Sequence, residues 1–302
     1  MPIPDLDHNT DHQEDQKKKA KALLVLHSGG GPLILPNVWD VASARLVEDA
    51  GFPAIATSSA GVAFSLGYPD GEKIPREEML AAVARIARAV RVPVTADVEA
   101  GYGPTPADAT RTARAVIESG AVGMNLEDAT GDSQQPLVEL PLQLEKIRAV
   151  RETAESLQVP LVLNARTDVY LLQVGAPATR YDEAIRRLRA FRDAGADCVF
   201  VPGLADGPTI ARIVSDLHYP VNILAGPGTL SVAELRKLGV ARISLGSGPM
   251  RAALGLLRRL AEELKTAGTY HMMEGAPPHS EINKLMASAN GTGANIKRET
   301  EN

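Results

Sequence analysis

Short apolar runs, often β-branched, recur along the chain, each followed by a longer stretch with apolar residues three and four apart. The short runs are LILPN (33–37), AIATSS (54–59), VTADVE (94–99), GMNLED (123–128), LVLNART (161–167), CVFVPG (198–203), VNILAG (221–226) and RISLGS (242–247). Near-continuous apolar runs of this length predict strands buried on both faces, as in a parallel sheet. Between them, REEMLAAVARIARAV (76–90), PADATRTARAVIESG (106–120) and DEAIRRLRAFRDAG (182–195) carry helical spacing, and the last two end on glycine. Eight strand–helix units in one chain predict an α/β fold, a (β/α)8 TIM-type barrel over residues 23–267. A doubly wound sheet is the alternative. No linker divides the chain.

The two ends break this rhythm. Residues 1–22 are polar, and the sequence predicts disorder for them, with a short helix starting near Lys17 in KKKAKALLVLHSG. Residues 268–302 form a C-terminal extension with one helix-like piece, Ser280–Ala289. Across 302 residues, 44% are hydrophobic and 23% charged, a globular composition. The net charge of −5 and scattered Lys and Arg argue against a nucleic-acid partner. No apolar run reaches the roughly 20 residues of a membrane span, and the polar N-terminus is unlike a signal peptide. One cysteine, Cys198, forms no intrachain disulfide and sits in an apolar run as a core residue. The expected location is the cytoplasm.

Candidate chemistry lies where the strands end. VTADVEAGYG (94–103) closes an apolar strand with two acids, Asp97 and Glu99, on the same side of the pleat. Like charges at that spacing repel and resist burial, so a divalent cation is the simplest offset. Glu127 ends the next strand, and Asp70 in SLGYPDGE lies on the loop after the second. Oxygen donors of this kind suit Mg2+, with Mn2+ as the alternative, and no His or Cys cluster competes for zinc. Arg166 offers a planar fork for a carboxylate or phosphonate. Ser58, Ser59 and Ala60 form a turn whose amides and hydroxyls suit a second anionic group, and Asn164 and Asn222 end two further strands. Asp128 and Asp168 read as caps or partners of an arginine. Together these residues describe a site for a small dianion, where a cation would stabilise an enolate at a 2-oxo acid.

NVWDVASARLVEDAGFPAIATSSAG, SLGYPDGE, ADVEAGYG, NLEDA and NARTD, in this order, resemble the isocitrate lyase/phosphoenolpyruvate mutase superfamily, from about Leu33 to Tyr270. The resemblance implies a barrel whose last helix is exchanged between subunits, in a homodimer or homotetramer. It also implies Mg2+ and substrates that are 2-oxo or 2-hydroxy acids or phosphonates. Asp97 would hold the metal directly, and Asp70, Glu99 and Glu127 through water. Ser58, Ser59 and Ala60 would hold the substrate carboxylate, and Arg166 would pair with the substrate.

The chain departs from the superfamily pattern at four places: Pro202 stands where the sixth strand often has His or Glu, the metal strand reads Asp-x-Glu for the usual Asp-x-Asp, and two loops differ. GYGPTPADATRT has no Cys or His where the lyases carry a Lys-Lys-Cys-Gly-His motif, and EDATGDSQQPLVEL lacks the lysine of the mutase gating loop. What is expected is a Mg2+-dependent lyase or decarboxylase acting on a small 2-oxo or 2-hydroxy dicarboxylate through an enolate. Its proton would come from water, Tyr102 or Ser133. The alternatives are phosphonopyruvate hydrolase or mutase-like P–C chemistry, and a non-catalytic anion-binding protein.

Overall fold

The computed structural model describes residues 7–287. Nine strand segments run parallel: β1 Leu33–Leu35, β2 Asn37–Val38, β3 Ile55–Thr57, β4 Val94–Asp97, β5 Gly123–Glu127, β6 Val162–Arg166, β7 Cys198–Phe200, β8 Val221–Leu224 and β9 Arg242–Ser244. They are ordered β1-β9-β8-β7-β6-β5-β4-β3-β2. The run expected as one strand at 33–37 is therefore two pieces. Pro36 separates them, because it has no N–H to give to a ladder. β1 pairs with β9 and β2 pairs with β3. One continuous stretch of chain thus touches both edges of the sheet, and the sheet curls back on itself as a TIM-type barrel with helices around it. Asn37 fastens this seam. Its Oδ1 accepts from the Leu245 and Gly246 amides at 2.7 and 2.9 Å, and its Nδ2 donates to the Thr57 carbonyl at 2.8 Å.

The strands alternate more than their composition suggests. Ala96, Met124, Leu126, Leu163, Ala165, Val199, Ile223 and Ile243 belong to the main hydrophobic core. Several residues that alternate with them, Asp97, Asn125, Asn164, Asn222 and Arg242, are polar and meet inside the barrel. Register places Asp97 beside Asn125, Asn125 beside Asn164, and Asn222 beside Arg242. Arg242 of β9 reaches Asn125 of β5, a strand that is not its neighbour, so the two side chains face each other across the interior. Barrels usually fill this space with branched apolar side chains.

The N-terminal segment corrects the sequence-based expectation. Asp7–Leu26 is a helix, where disorder was expected through residue 22 and helix only from Lys17. Ala20 and Leu23 are fully buried, and Gln16 Nε2 donates to the Ile117 and Ala121 carbonyls at 2.7 and 3.1 Å. Leu23 packs against Gly123, where an added Cβ would lie 2.9 Å from the leucine methyl. Tertiary burial of one narrow stripe, Ala20, Leu23 and His27, holds a helix that is otherwise polar. The expectations for residues 1–6 and for the tail beyond 287 lie outside the described residues.

A second compact unit begins at Leu257, earlier than the boundary expected at 268. The helix Gly248–Thr266 runs through that point. Glu263 closes its last turn, accepting from Thr269 Oγ1 and from the His271 and Met272 amides at 2.7–2.9 Å. The short helix His279–Ala287 follows.

Candidate active site

Asp97 is the last residue of β4 and is 8% exposed. Its Oδ2 accepts from the Ser59 amide and hydroxyl at 3.1 and 2.9 Å, and its Oδ1 from Asn125 Nδ2 at 3.2 Å. Ser59 opens the helix Ser59–Ser65, and Ser58 caps that helix by accepting from the Gly61 amide. The serine turn expected to hold a substrate carboxylate thus steadies Asp97 and its own helix. Ala60 is buried within the helix.

The chain after Asp97 turns tightly. Glu99 and Tyr102 have φ of 52° and 57°, and Gly101 and Gly103 are also left-handed. Such a conformation costs a non-glycine residue about 1–3 kcal/mol and must be held by its surroundings. Here the Glu72 amide donates to Glu99 Oε2 and the Tyr102 amide to Glu72 Oε1, both at 2.6 Å. Lys146, fully buried on the helix Leu140–Ser156, donates to the Ala100 and Gly103 carbonyls at 2.6 and 3.2 Å. Glu99 Oε1, buried, has no hydrogen-bond partner among the described residues.

Arg166, at the end of β6, faces Glu127 at the end of β5 in register. Its Nη1 lies 2.6 Å from Glu127 Oε2, and its Nε and Nη2 bind Asp168 Oδ1 and Oδ2 at 2.5 and 2.8 Å. Asp168 is therefore an arginine partner. Asp128 is too: it accepts from Arg187 Nη1, Thr167 Oγ1 and the Asp168 amide. The planar guanidinium is fixed on two sides, which a lysine ammonium would not reproduce.

These groups border one cavity of about 420 Å³. Of the expected residues, Ser59, Asp70, Glu99, Glu127 and Arg166 line it. Asp97 lies just behind Ser59. Ser58, Ala60, Asn164 and Asn222 do not line it; the two asparagines serve the barrel interior, bonding Asn125 and Ser244. Tyr102 and Ser133 do not line it either. Tyr102 packs against Val62, Ala63, Ile74 and Met79. Sequence reading missed Glu72, Lys146 and Asn125. Glu72 and Lys146 sit in polar loop and helix patterns with no distinguishing signal, whereas Asn125 shares the strand parity of Glu127.

The cavity wall is rich in acid. Burial, then the charges of Asp97 and Asp70, push the Glu99 carboxyl up to about 8. Burial and Asp97 also raise Asp70. Burial raises Glu127 above its ordinary value, although Arg166 pulls the other way. Burial opposes the charge on Arg166, but Glu127 and Asp168 outweigh it and raise its pKa. Burial lowers Lys146.

Among the described residues, no three of His, Cys, Asp and Glu converge as a ready-made metal cage. Mg2+ does not need one, since it keeps several waters and takes one or two carboxylates. The residues present fit such an ion: one oriented carboxylate in Asp97, a Glu99 Oε1 with no partner among the described residues, and clustered acids whose charge burial and mutual repulsion disfavour until a cation offsets them.

Residues 23–265 match the family model described as phosphoenolpyruvate phosphomutase. The uncharacterized protein Rv1998c of Mycobacterium tuberculosis strain H37Rv is 40% identical over 229 residues, covering 76% of this chain and 83% of that one. The oxaloacetate decarboxylase of Bradyrhizobium diazoefficiens is 29% identical over 298 residues, covering 95% and 94%. Among solved structures, oxaloacetate acetylhydrolase in complex with the product oxalate superposes with a TM-score of 0.79 at 29% identity, covering 89% of this chain and 93% of that one. Phosphonopyruvate hydrolase with oxalate and Mg2+ gives 0.79 at 25% identity, covering 89% and 95%. The chain belongs to the phosphoenolpyruvate phosphomutase family and is an enzyme of the isocitrate lyase/phosphoenolpyruvate mutase superfamily.

Proposed function

We propose that this protein is a Mg2+-dependent carbon–carbon lyase or decarboxylase acting on a small 2-oxo or 2-hydroxy dicarboxylate of the oxaloacetate or malate type. The observation that carries this reading is the acid wall around Asp97, with Glu99 Oε1 unpartnered and Arg166 fixed beside it. Asp97 would hold the cation directly, and Asp70, Glu99 and Glu127 through water. Bound there, Mg2+ supplies positive charge where an enolate oxygen develops. Mn2+ would serve in the same way.

The chain's own residues do the rest. Arg166 has five N–H groups and spends three on Glu127 and Asp168, which leaves two for a substrate carboxylate. Lys146 and Glu72 keep the left-handed turn closed, so that Glu99 faces the cavity. Ser59 keeps Asp97 oriented. Neither Tyr102 nor Ser133 borders the cavity, which favours water as the proton source. The relatives named oxaloacetate decarboxylase and oxaloacetate acetylhydrolase support a small 2-oxo dicarboxylate.

The test is a panel of 2-oxo and 2-hydroxy dicarboxylates with Mg2+, assayed for pyruvate, oxalate and carbon dioxide. Turnover of at least one member, lost in Asp97→Ala, is expected. No turnover above the Asp97→Ala background with any member overturns the reading. The structural likeness to phosphonopyruvate hydrolase motivates one further substrate. Phosphate release from phosphonopyruvate would assign P–C chemistry instead, and metal-dependent binding without turnover would assign a non-catalytic role. The exposed Leu257, Leu264, Tyr270 and Met273 further suggest that the C-terminal helical unit docks on a second copy, which light scattering would report as a dimer or tetramer.

A further inference from the structure

Arg242 is fully buried at the start of β9, inside the barrel. Among the described residues its Nε and Nη1 have no hydrogen-bond partner, and its Nη2 reaches Asn125 Oδ1 at a long 3.5 Å. A buried cation without an ion pair is costly and calls for a reason. The reason lies in what Asn125 does next. Its Oδ1 also accepts from Asn164 Nδ2 at 2.7 Å, and its Nδ2 donates to Asp97 Oδ1 at 3.2 Å.

An asparagine pair alone leaves the orientation open, because both amides can turn together and still bond; the Asp97 carboxylate, an acceptor, asks for the Asn125 N–H from one side, and Arg242 enforces the same choice from the other. Asn164 Oδ1 has no hydrogen-bond partner among the described residues, so it does not choose between the two orientations. A guanidinium has only donors, so it admits only the oxygen of Asn125 on its side. The amide must then present its N–H to Asp97. We propose that Arg242 is a positioning residue: it fixes the amide of Asn125 and thereby aims the Asp97 carboxylate at the cation it is to hold. The proposal rests on the reading of Asp97 as the metal seat. Residues that orient a metal ligand from behind typically change affinity by about 10–100-fold when removed.

Mn2+ binding, followed by electron paramagnetic resonance without substrate, tests this. Arg242→Met and Arg242→Gln are each expected to weaken Mn2+ binding about tenfold. Arg242→Lys, still donor-only, is expected to retain most of the affinity. Asn125→Leu should match Arg242→Met, and the double variant should lose no more than either alone, since both act along one route. The Met variant is expected to keep its melting temperature, because an apolar side chain relieves the buried charge. If it does not fold, the comparison of Lys with Gln carries the test. Wild-type affinity in Arg242→Gln, or additive losses in the double variant, would overturn the proposal alone. Failure of the wild type to bind Mn2+ would overturn the metal seat and the proposal with it.

Discussion

Glu99 is 4% exposed and shares its surroundings with Asp97 and Asp70, so its carboxyl keeps a proton to about pH 8. In the unfolded chain it loses that proton near the ordinary value of 4.5. Between the two pH values the folded state binds more protons, so metal-free stability falls as pH rises. In EDTA, the melting temperature of the wild type should drop between pH 5.5 and pH 8.5 by more than that of Glu99→Gln. Equal drops would show that Glu99 is not held protonated. Arg166 makes a second residue-scale case. Arg166→Lys keeps the charge but cannot bond Glu127 and both oxygens of Asp168 at once. Its kcat/KM should fall about 100-fold, the cost of ångström-scale misplacement, with little change in fold. Activity near that of the wild type would show that the fork is dispensable. At this scale the acids and the arginine were legible in the sequence, because carboxylates at the ends of apolar strands are conspicuous. Lys146 was not, because a lysine on a helix carries no mark of whether it faces solvent or two backbone carbonyls.

The elements that shape the cavity are held by close backbone approach. Gly203, just after β7, has φ of 81°, and a Cβ there would lie 2.7 Å from the Leu171 amide nitrogen and Cα. Backbone cannot yield as a side chain does, so Gly203→Ala must displace the turn carrying Leu171, which lines the cavity. It should destabilise the protein by more than about 1 kcal/mol in urea titration and weaken oxalate binding. Unchanged midpoint and affinity would contradict this packing. The helix Asp7–Leu26 is tested through Leu23, whose truncation to alanine should cost about 2–5 kcal/mol, as for a core leucine. A negligible effect in the same titration would mean that the helix does not dock. Strand and helix order could be read from the alternation of apolar runs. Two features could not. Pro36 looks like part of one strand, and only the closed sheet shows why the chain changes neighbours there. The N-terminal helix has a polar composition that reads as disorder, and its few buried positions gain meaning only against Gly123 and the Ile117 carbonyl.

At the scale of the whole molecule, closure of the sheet brings residues from distant parts of the chain to one end of the barrel. Asp70, Asp97, Glu127 and Arg166 come from four successive strand–loop units; Asp70, Glu127 and Arg166 line one cavity of about 420 Å³, and Asp97 sits just behind its Ser59 wall. The barrel interior behind them is polar, with Arg242, Asn125 and Asn164 linked to Asp97. Buried carboxyl groups are concentrated at the cavity, and a cation that binds only the folded state should raise stability by mass action. The measurement that tests this most directly is calorimetric titration of oxalate, a planar mimic of the pyruvate enolate, with and without Mg2+, on the wild type and on Asp97→Ala. The expected result is binding only in the presence of Mg2+, abolished by the substitution. Binding that ignores the metal, or that survives loss of Asp97, would contradict the metal seat and leave the acids of β4 as ion-pair and hydrogen-bond partners alone.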